Sequence, residues 1–524
     1  MMGRGLVNCP PNNRRFEEVF MRKLLLATVA GLSAWGAVVS DADAQTPVQV
    51  PTQSSASYTT YQGGAALPAA GAPTPGTVVV RLNGRVRFYA YAAFDGDANQ
   101  TSTPGAQPNK QDKYGFAEYG RLYPGFDGVA ANGLKYGASL EIRQDTNAPA
   151  GGGANGSVSG QDPKRAGLYF RRVWGYLGTN EAGTIRLGST DQPTSLYLTG
   201  NFENFNDGGW NGDVPGFFAG NVAPAWPFSD VGSYYTTNKA VYLSPQIFGF
   251  DLGASYEPST ANVSGNDNCN APGLGYQGTY PNPSLATTSA GGVLTSATLN
   301  QTSSYCDRAS STNSATESAR RRNTFDLLLR YRATFGAFGV AATAAYITGS
   351  HVGYNGIQPV TNNVLAATGQ RPGYQGLNVG DFGAAVTLAG LSVGGHYTTG
   401  RFNGNVANTL PSGVPDSNAW LGGASYTFGP MIVGASYFVS ESAGDIGNAF
   451  FGRQRKEQGF AAGGTYSLAP GISLFLSALW GERKQNGYNF VTATGVSAAS
   501  GASGSTANNK VNVSAISLGT AFSW

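Results

Sequence analysis

The segment from Val78 to Phe94, VVVRLNGRVRFYAYAAF, decides the fold because its residue types alternate. Even positions carry apolar or small side chains such as Val80, Val86 and Phe88, whereas the odd positions include three arginines. Successive side chains of a β-strand point to opposite faces, so this period of two predicts a strand with one apolar and one charged face. The segment 134–143 repeats the pattern.

Similar segments recur along the chain, and their connections are as informative as the strands themselves. Long connections follow the odd-numbered segments and short ones, such as Gly429-Pro430, follow the even-numbered segments. An even strand number with every long loop at one end is typical of a bacterial outer-membrane barrel. The predicted fold class is therefore all-β, a 16-stranded antiparallel transmembrane β-barrel. The predicted strands lie near 78–94, 114–127, 134–143, 167–178, 183–190, 234–244, 248–257, 324–334, 338–347, 378–389, 391–399, 419–428, 431–439, 458–468, 472–482 and 511–524.

The composition favours many short strands and gives no indication of several other classes. The 524 residues include 75 glycines and only 12% charged residues, against about 25% in soluble domains. No run of 18 apolar residues follows residue 44, so no membrane helix is expected. The formal net charge is +3, with no basic arm that would predict nucleic-acid binding. No phosphate loop or metal-ligand spacing predicts a cofactor or a metal site.

The first 76 residues are interpreted as export and lead-in segments. Residues 21–44 combine Arg22 and Lys23, an apolar stretch and an Ala-Asp-Ala site ending at Ala44, which predicts a signal peptide and a mature chain beginning at Gln45. A membrane helix is the disfavoured alternative because the apolar stretch is short and ends in a cleavage motif. Residues 1–20 are interpreted as a start codon assigned too early. Residues 45–76 are predicted to be a flexible Pro/Ala-rich periplasmic segment, and 77–524 the barrel.

Two cysteines remain after the predicted signal peptide. Cys9 precedes the cleavage site, which leaves Cys269 and Cys306. An even pair in an exported chain makes these two residues a candidate disulfide.

The chain ends on Phe522 and Trp524, and several further fragments precede this end. These are Phe126–Gly137, Val173–Gly178 with Gly183–Gly188, and Asn238–Pro245 followed by Phe248–Phe250. Together, and in this order, the fragments resemble the Gram-negative porin family, particularly its alphaproteobacterial members, and the end of the chain resembles the terminal aromatic signal read by the barrel-assembly machinery.

The resemblance implies a function, a location and partners. The expected function is a water-filled channel for passive diffusion of ions and small hydrophilic solutes, with no enzymatic activity. The expected partners are outer-membrane lipid and lipopolysaccharide, the assembly machinery and two further copies in a homotrimer. In such a trimer, the small residues of the ninth strand would pack against a neighbouring barrel. These are Gly339, Ala341, Thr343 and Ala345.

The resemblance also implies an inward-folded third extracellular loop, here Asp191 to Gly232, which presents acids to a wall of arginines. Its acids are Glu203, Asp207 and Asp213. Opposite charges across a narrow opening orient water and polar solutes. The alternation assigns the wall to Arg85, Arg87, Arg121, Arg143, Arg172, Arg186, Arg330 and Arg332.

Two alternatives from other classes remain open. The long Ser/Thr/Asn-rich segment 258–322 is compatible with a surface binding or adhesion protein that the barrel only anchors. The G-x-S-x-G match around Ser392, with His396 four residues on, is compatible with an outer-membrane phospholipase. The match lies in a predicted β-hairpin, whereas a hydrolase requires a strand-to-helix turn at the serine.

Overall fold

The structure is a computed structural model of the chain. The structure describes residues 74–95, 113–145, 169–218, 222–228, 238–259, 321–351, 376–402, 415–444, 455–486, 488–490, 494–495 and 508–524.

Strands make up most of these residues, and their positions agree with the sixteen that the alternation predicts. A short pair, β16 (Tyr488–Asn489) and β17 (Thr494–Gly495), was not predicted. The longer strands are β1 (Thr77–Phe94), β2 (Tyr114–Val129), β3 (Lys135–Asp145), β4 (Tyr169–Thr179), β5 (Gly183–Ser189), β6 (Asn238–Leu243), β7 (Phe250–Ser259), β8 (Arg321–Phe335), β9 (Phe338–His351), β10 (Leu377–Leu388), β11 (Leu391–Arg401), β12 (Ser417–Phe428), β13 (Met431–Ser442), β14 (Arg455–Ala469), β15 (Ile472–Lys484) and β18 (Lys510–Ser523).

The sixteen longer strands form one closed antiparallel barrel, which confirms the predicted fold class. Each strand pairs with its neighbours in the chain, and β18 pairs with both β15 and β1 to complete the circle. Closure removes the unpaired edges that an open sheet would expose. This is the requirement that a lipid environment places on strands, because no water is there to satisfy backbone groups.

The barrel hides charged side chains on its inner face and exposes apolar ones on its outer face. On β1, Val80 is 79% exposed, whereas Arg87 is fully buried. On β2, Phe116 is 73% exposed and Arg121 is 2% exposed. A soluble protein has the opposite distribution, so the outer belt is suited to an apolar surrounding.

The short connections are tight turns on one side of the barrel. Ala389 and Gly390 alone join β10 to β11, and both have positive φ, +47° and +85°. Two successive residues of positive φ match the twist of a two-residue hairpin, which is why glycine suits this position. The long connections follow the odd-numbered strands up to β15, as the sequence predicts.

The inner face of β9 corrects one expectation. Ala341, Thr343 and Ala345 are buried on the inner face, so they do not meet a neighbouring barrel. Ala345 packs in a cluster with Tyr197, which belongs to the segment between β5 and β6. Small side chains are needed here because that segment lies against the inside of the wall.

Several predictions concern residues outside the described part of the chain. These are the signal peptide 21–44, nearly all of the lead-in 45–76, the pair Cys269 and Cys306, and most of the segment 258–322. Among the described residues, no helix has the length and hydropathy required to cross a membrane.

Candidate functional site

The long segment that begins at Asp191 lies against the buried face of the sheet, and we call it the inner loop. Its described residues are 191–218 and 222–228. It starts with a one-turn helix, α1 (Pro193–Leu196), whose proline occupies a first-turn position where a backbone N–H is not required. Single turns of 3₁₀-helix follow at Gly209–Asn211 and Val214–Phe217.

The first part of the inner loop is hydrogen-bonded to β8 and β11. Thr194 donates its backbone N–H and its hydroxyl to the carboxylate of Asp326, at 2.9 and 2.6 Å. His396 Nδ1 lies 2.8 Å from the carbonyl oxygen of Thr199 and its Nε2 lies 2.9 Å from Asp381 Oδ1. Both ring nitrogens therefore contact groups other than Ser392, as expected for residues four apart on a strand, which are separated by about 13 Å.

The middle of the inner loop packs against glycines on the inner face of the sheet. A Cβ atom at Gly434 would lie 2.5 Å from the ring of Phe205, and one at Gly459 would lie 2.5 Å from Trp210 Nε1. Trp210 also donates its indole N–H to the carbonyl of Phe460 at 3.1 Å. Both aromatic side chains are buried, which contributes about 1.5–3 kcal/mol for a large apolar side chain. The abundant glycines thus leave the space in which the loop packs.

The far end of the inner loop reaches β1 and β2 through Asp213. Its carboxylate accepts a hydrogen bond from the Tyr89 hydroxyl at 2.8 Å and lies 3.4 Å from Arg121 and 3.7 Å from Arg87. Burial works to raise the pKa of Asp213, but the two guanidinium groups outweigh it and lower the pKa to about 2. Asp213 is therefore ionised at neutral pH and links the loop to the arginines.

Asp207 occupies a different environment from Asp213. Its carboxylate is fully buried and accepts a hydrogen bond from Ser477 on β15 at 3.0 Å. Burial, together with the charge of Asp213, raises the pKa of Asp207 to about 6. The third predicted acid, Glu203, is buried and accepts a hydrogen bond from Asn211 within the loop itself.

The first five strands carry a dense set of buried arginines on their inner face, which we call the arginine wall. Three of its side chains surround one ring, since the guanidinium carbons of Arg85, Arg87 and Arg121 lie 5.8, 5.8 and 4.3 Å from the centre of Tyr119. Such contacts allow cations to be packed closely on an aromatic face. The wall consists of Arg81, Arg85, Arg87, Arg121, Arg143, Arg171 and Arg186.

A β-bulge between β3 and β4 adds one arginine that the alternation does not predict. The register passes from the pair Glu141–Arg172 to the pair Ile142–Phe170, which leaves Arg171 as the extra residue. A bulge of this kind re-aims side chains locally. Arg171 is buried although Phe170 beside it is exposed.

The side chains at the bulge form one ionic cluster around Glu141. Arg171 donates to its carboxylate at 3.2 Å, and Arg143 and Arg172 also donate to it. Arg172 further donates to Asp191 at 2.8 Å, which connects the cluster to the beginning of the inner loop. A buried acid surrounded by three arginines leaves the cluster with a positive formal charge.

The remaining predicted arginines also lie on the inner face. Arg330 donates to Asp251 at 2.8 Å with two of its nitrogens, and Arg332 contacts the same carboxylate at 2.7 Å. The guanidinium of Arg330 lies over the ring of Tyr197, 3.6 Å from its centre. Arg186 lies over the tryptophan ring of β4 at 4.6 Å.

Sequence reasoning missed two members of the arginine wall. Arg81 shares the odd register of Arg85 on β1, so the alternation already contains the information that places it inside. It pairs with Asp127 on β2, with 3.2 Å between Nη2 and Oδ1. Arg171 had no such local indication, because only the pairing of β3 with β4 reveals the bulge.

The terminal aromatic residues lie on the outer face at the junction of β18 with β1. Phe522 and Trp524 are about half exposed, at 45% and 48%. The backbone of Trp524 pairs with that of Gly84 through hydrogen bonds of 3.1 and 3.2 Å. The ring of Trp524 covers Gly84, where a Cβ atom would lie 2.3 Å from it.

A closed barrel with an apolar outer belt and charged residues inside defines the class of membrane β-barrels. The sequence model of the Gram-negative porin family matches residues 54–486, and the chain belongs to that family. Among solved structures, the chain is similar to an anion-selective porin from Comamonas acidovorans, with 15% identity and a TM-score of 0.47, covering 86% of this chain and 100% of that one. It is also similar to a mutant of the Rh. blastica porin, with 13% identity and a TM-score of 0.41, covering 85% and 100%. No curated protein gives a significant match.

Proposed function

We propose that the protein is an outer-membrane channel for passive diffusion of ions and small hydrophilic solutes. The observation that carries the proposal is the distribution of charge across the barrel. The arginine wall lies on β1–β5, whereas the inner loop brings Asp213 to the edge of that wall. The narrowest section of the channel then lies beside the Asp213 contact, where the rest of the inner loop faces the arginine wall.

The physical consequence of this arrangement is a transverse electric field. Opposite charges across a narrow passage orient water and polar solutes, whereas an apolar solute loses hydrogen bonds that it has no means of replacing. Passage through such a section makes and breaks no covalent bond, so no catalytic group is required.

Single-channel recording in planar bilayers tests the proposal. The purified protein should produce discrete conductance steps. In a salt gradient, the reversal potential of a variant with Asp207→Asn and Asp213→Asn should shift toward the value of a channel that is more permeable to anions. Absence of conductance from correctly folded protein would refute the proposal, and it is the result expected for the alternative of a barrel that only anchors surface loops. Selectivity unaffected by the two substitutions would show that these acids do not face the conducting path.

We also propose that export, assembly and oligomerisation follow the sequence expectations. The signal peptide 21–44 would be removed during export, Phe522 and Trp524 would be read by the barrel-assembly machinery, and the barrels would form a homotrimer among lipid and lipopolysaccharide. Supporting this, both aromatic residues are accessible at the β18–β1 junction. Terminal sequencing of the mature protein should begin at Gln45, and cross-linking in outer membranes should give a trimer.

A further inference from the structure

The outer face of four neighbouring strands, β13, β14, β15 and β18, changes character toward the ends that carry long connections. Tyr437, Phe460 and Trp480 lie on this face and stand opposite one another across β13, β14 and β15. Aromatic residues form girdles at the boundary of the apolar band in membrane barrels. This aromatic row therefore marks the level at which lipid chains give way to headgroups.

Four residues farther along the same strands, the outer face carries a charged row. It consists of Glu441, Lys456, Lys484 and Lys510, each directly opposite the next on neighbouring strands. Four residues of a strand span about 13 Å, so this row lies beyond the aromatic row, on the side of the long connections. In a bacterial outer-membrane barrel the long loops are extracellular. The three lysines would then lie at the level of the outer-leaflet headgroups.

The order of the charges leaves the middle lysine of this row uncompensated. Lys456 Nζ lies 2.6 Å from Glu441 Oε1, and Lys510 Nζ lies 2.9 Å from Glu482 Oε2. Lys484 is exposed, has a lysine directly opposite on each side, and makes no hydrogen bond or ion pair with any residue that the structure describes. Like charges directly opposite each other destabilise a sheet. An anion bound between the three ammonium groups would reverse that effect.

We propose that these three lysines bind the phosphate group of an outer-leaflet glycolipid, with Lys484 as its central contact. The proposal rests on the proposed placement of the barrel in the outer membrane. Charge complementarity selects the ligand, because three lysines with the two carboxylates of Glu441 and Glu482 leave one positive charge on a face that is turned to lipid. The aromatic row beside them offers apolar surface to the acyl chains. A lysine ammonium binds phosphate oxygens as a point charge and requires no fixed geometry.

The experiment measures equilibrium binding of purified lipopolysaccharide, and of the same lipopolysaccharide after removal of its phosphates, to the full-length protein in detergent micelles. The unsubstituted protein should bind the phosphorylated form more tightly. Lys484→Gln should weaken binding of that form about tenfold, the effect of losing one charge-assisted hydrogen bond, and should leave binding of the dephosphorylated form unchanged. Lys484→Arg retains the charge and should retain the affinity. Lys510→Gln, on the next strand, provides a second variant with the same expectation as Lys484→Gln.

A matched control removes an exposed lysine from the opposite end of the barrel. Lys135 begins β3 on the side of the short turns, so Lys135→Gln should leave binding unchanged. Equal effects of Lys484→Gln and Lys135→Gln, or equal affinity of the unsubstituted protein for the two forms, would overturn the proposal. Displacement of the glycolipid by the same concentration of inorganic phosphate would overturn its assignment to a lipid. The channel is tested separately, since conductance in phosphatidylcholine bilayers should be the same for Lys484→Gln and the unsubstituted protein, and its absence from both would refute the proposed function.

Discussion

Replacement of Asp213 by asparagine should loosen the far end of the inner loop. The side chain lies against Arg121 and Arg87, and its pKa falls from the ordinary 3.8 to about 2. At about 1.36 kcal/mol per pKa unit, this corresponds to roughly 2 kcal/mol of loop docking. Asparagine retains an acceptor for the Tyr89 hydroxyl, so a loss of about 1–2 kcal/mol is expected.

Hydrogen exchange measured by mass spectrometry reports this free energy directly, because amide protection in a loop reflects its local opening. Protection of the peptides covering residues 205–218 should fall about five- to thirtyfold, since each 1.4 kcal/mol is a factor of ten. Asp416→Asn is the matched control, because that carboxylate is at the edge of the barrel and its side chain is 54% exposed. Equal protection in the Asp213 variant and the control would refute the ionic docking of the loop.

The same contact has a defined pH dependence. A lowered pKa means that the native state holds the proton of Asp213 less tightly than the unfolded state does. Its stabilising contribution is therefore fully present above about pH 4 and is lost as the pH falls toward about 2. Peptides covering β9, which lies across the barrel from β1, serve as the internal reference during the titration.

Three further outcomes are expected. Burial raises the pKa of Asp207 to about 6. Ionisation of Asp207 therefore weakens loop docking, and hydrogen-exchange protection of the loop should increase as the pH falls from about 7 to 5. Asp207→Asn should remove this pH dependence, and a dependence that persists in the variant would implicate another group. A Cβ at Gly459 would lie 2.5 Å from Trp210, whereas one at Gly422 meets nothing within 4 Å. Gly459→Val should therefore displace the loop and raise single-channel conductance, while Gly422→Ala should not; equal conductance in both would contradict the seating of the loop. Trp524→Ala should reduce the amount of heat-modifiable folded barrel in outer membranes, and an unchanged amount would exclude an assembly role for this ring.

The positions of the longer strands followed from the sequence because alternation is a local property. The sequence of β1 alone indicates which of its faces is apolar. Its odd residues from Arg81 to Arg87 form the polar face, and its even residues from Val80 to Phe88 form the apolar face. The alternation of long and short connections added the antiparallel order. Strand ends were less well determined, as at β14, which begins at Arg455 rather than near residue 458.

The path of the inner loop was decided by tertiary structure. Its acids were visible in the sequence, yet Asp213 contacts arginines of the wall, Asp207 is buried against Ser477, and Glu203 is bonded within the loop. These acids are close in sequence, and their environments differ because different parts of the structure contact each of them. Sequence spacing therefore did not distinguish the three roles.

The sequence by itself determined a barrel with an apolar outside and a charged inside. The reason is that consecutive side chains of a strand point to opposite faces, so the two faces can be read from one segment of sequence. Tertiary structure alone decided which face of β9 points inward. Both faces carry small or apolar residues, and only the packing of Ala345 near Tyr197 distinguishes one face from the other. It also decided the position of Arg171, because a bulge is a property of two paired strands. The physical reason is the same in both cases: local alternation fixes the relative orientation of neighbouring side chains, whereas packing and pairing fix which of them meet.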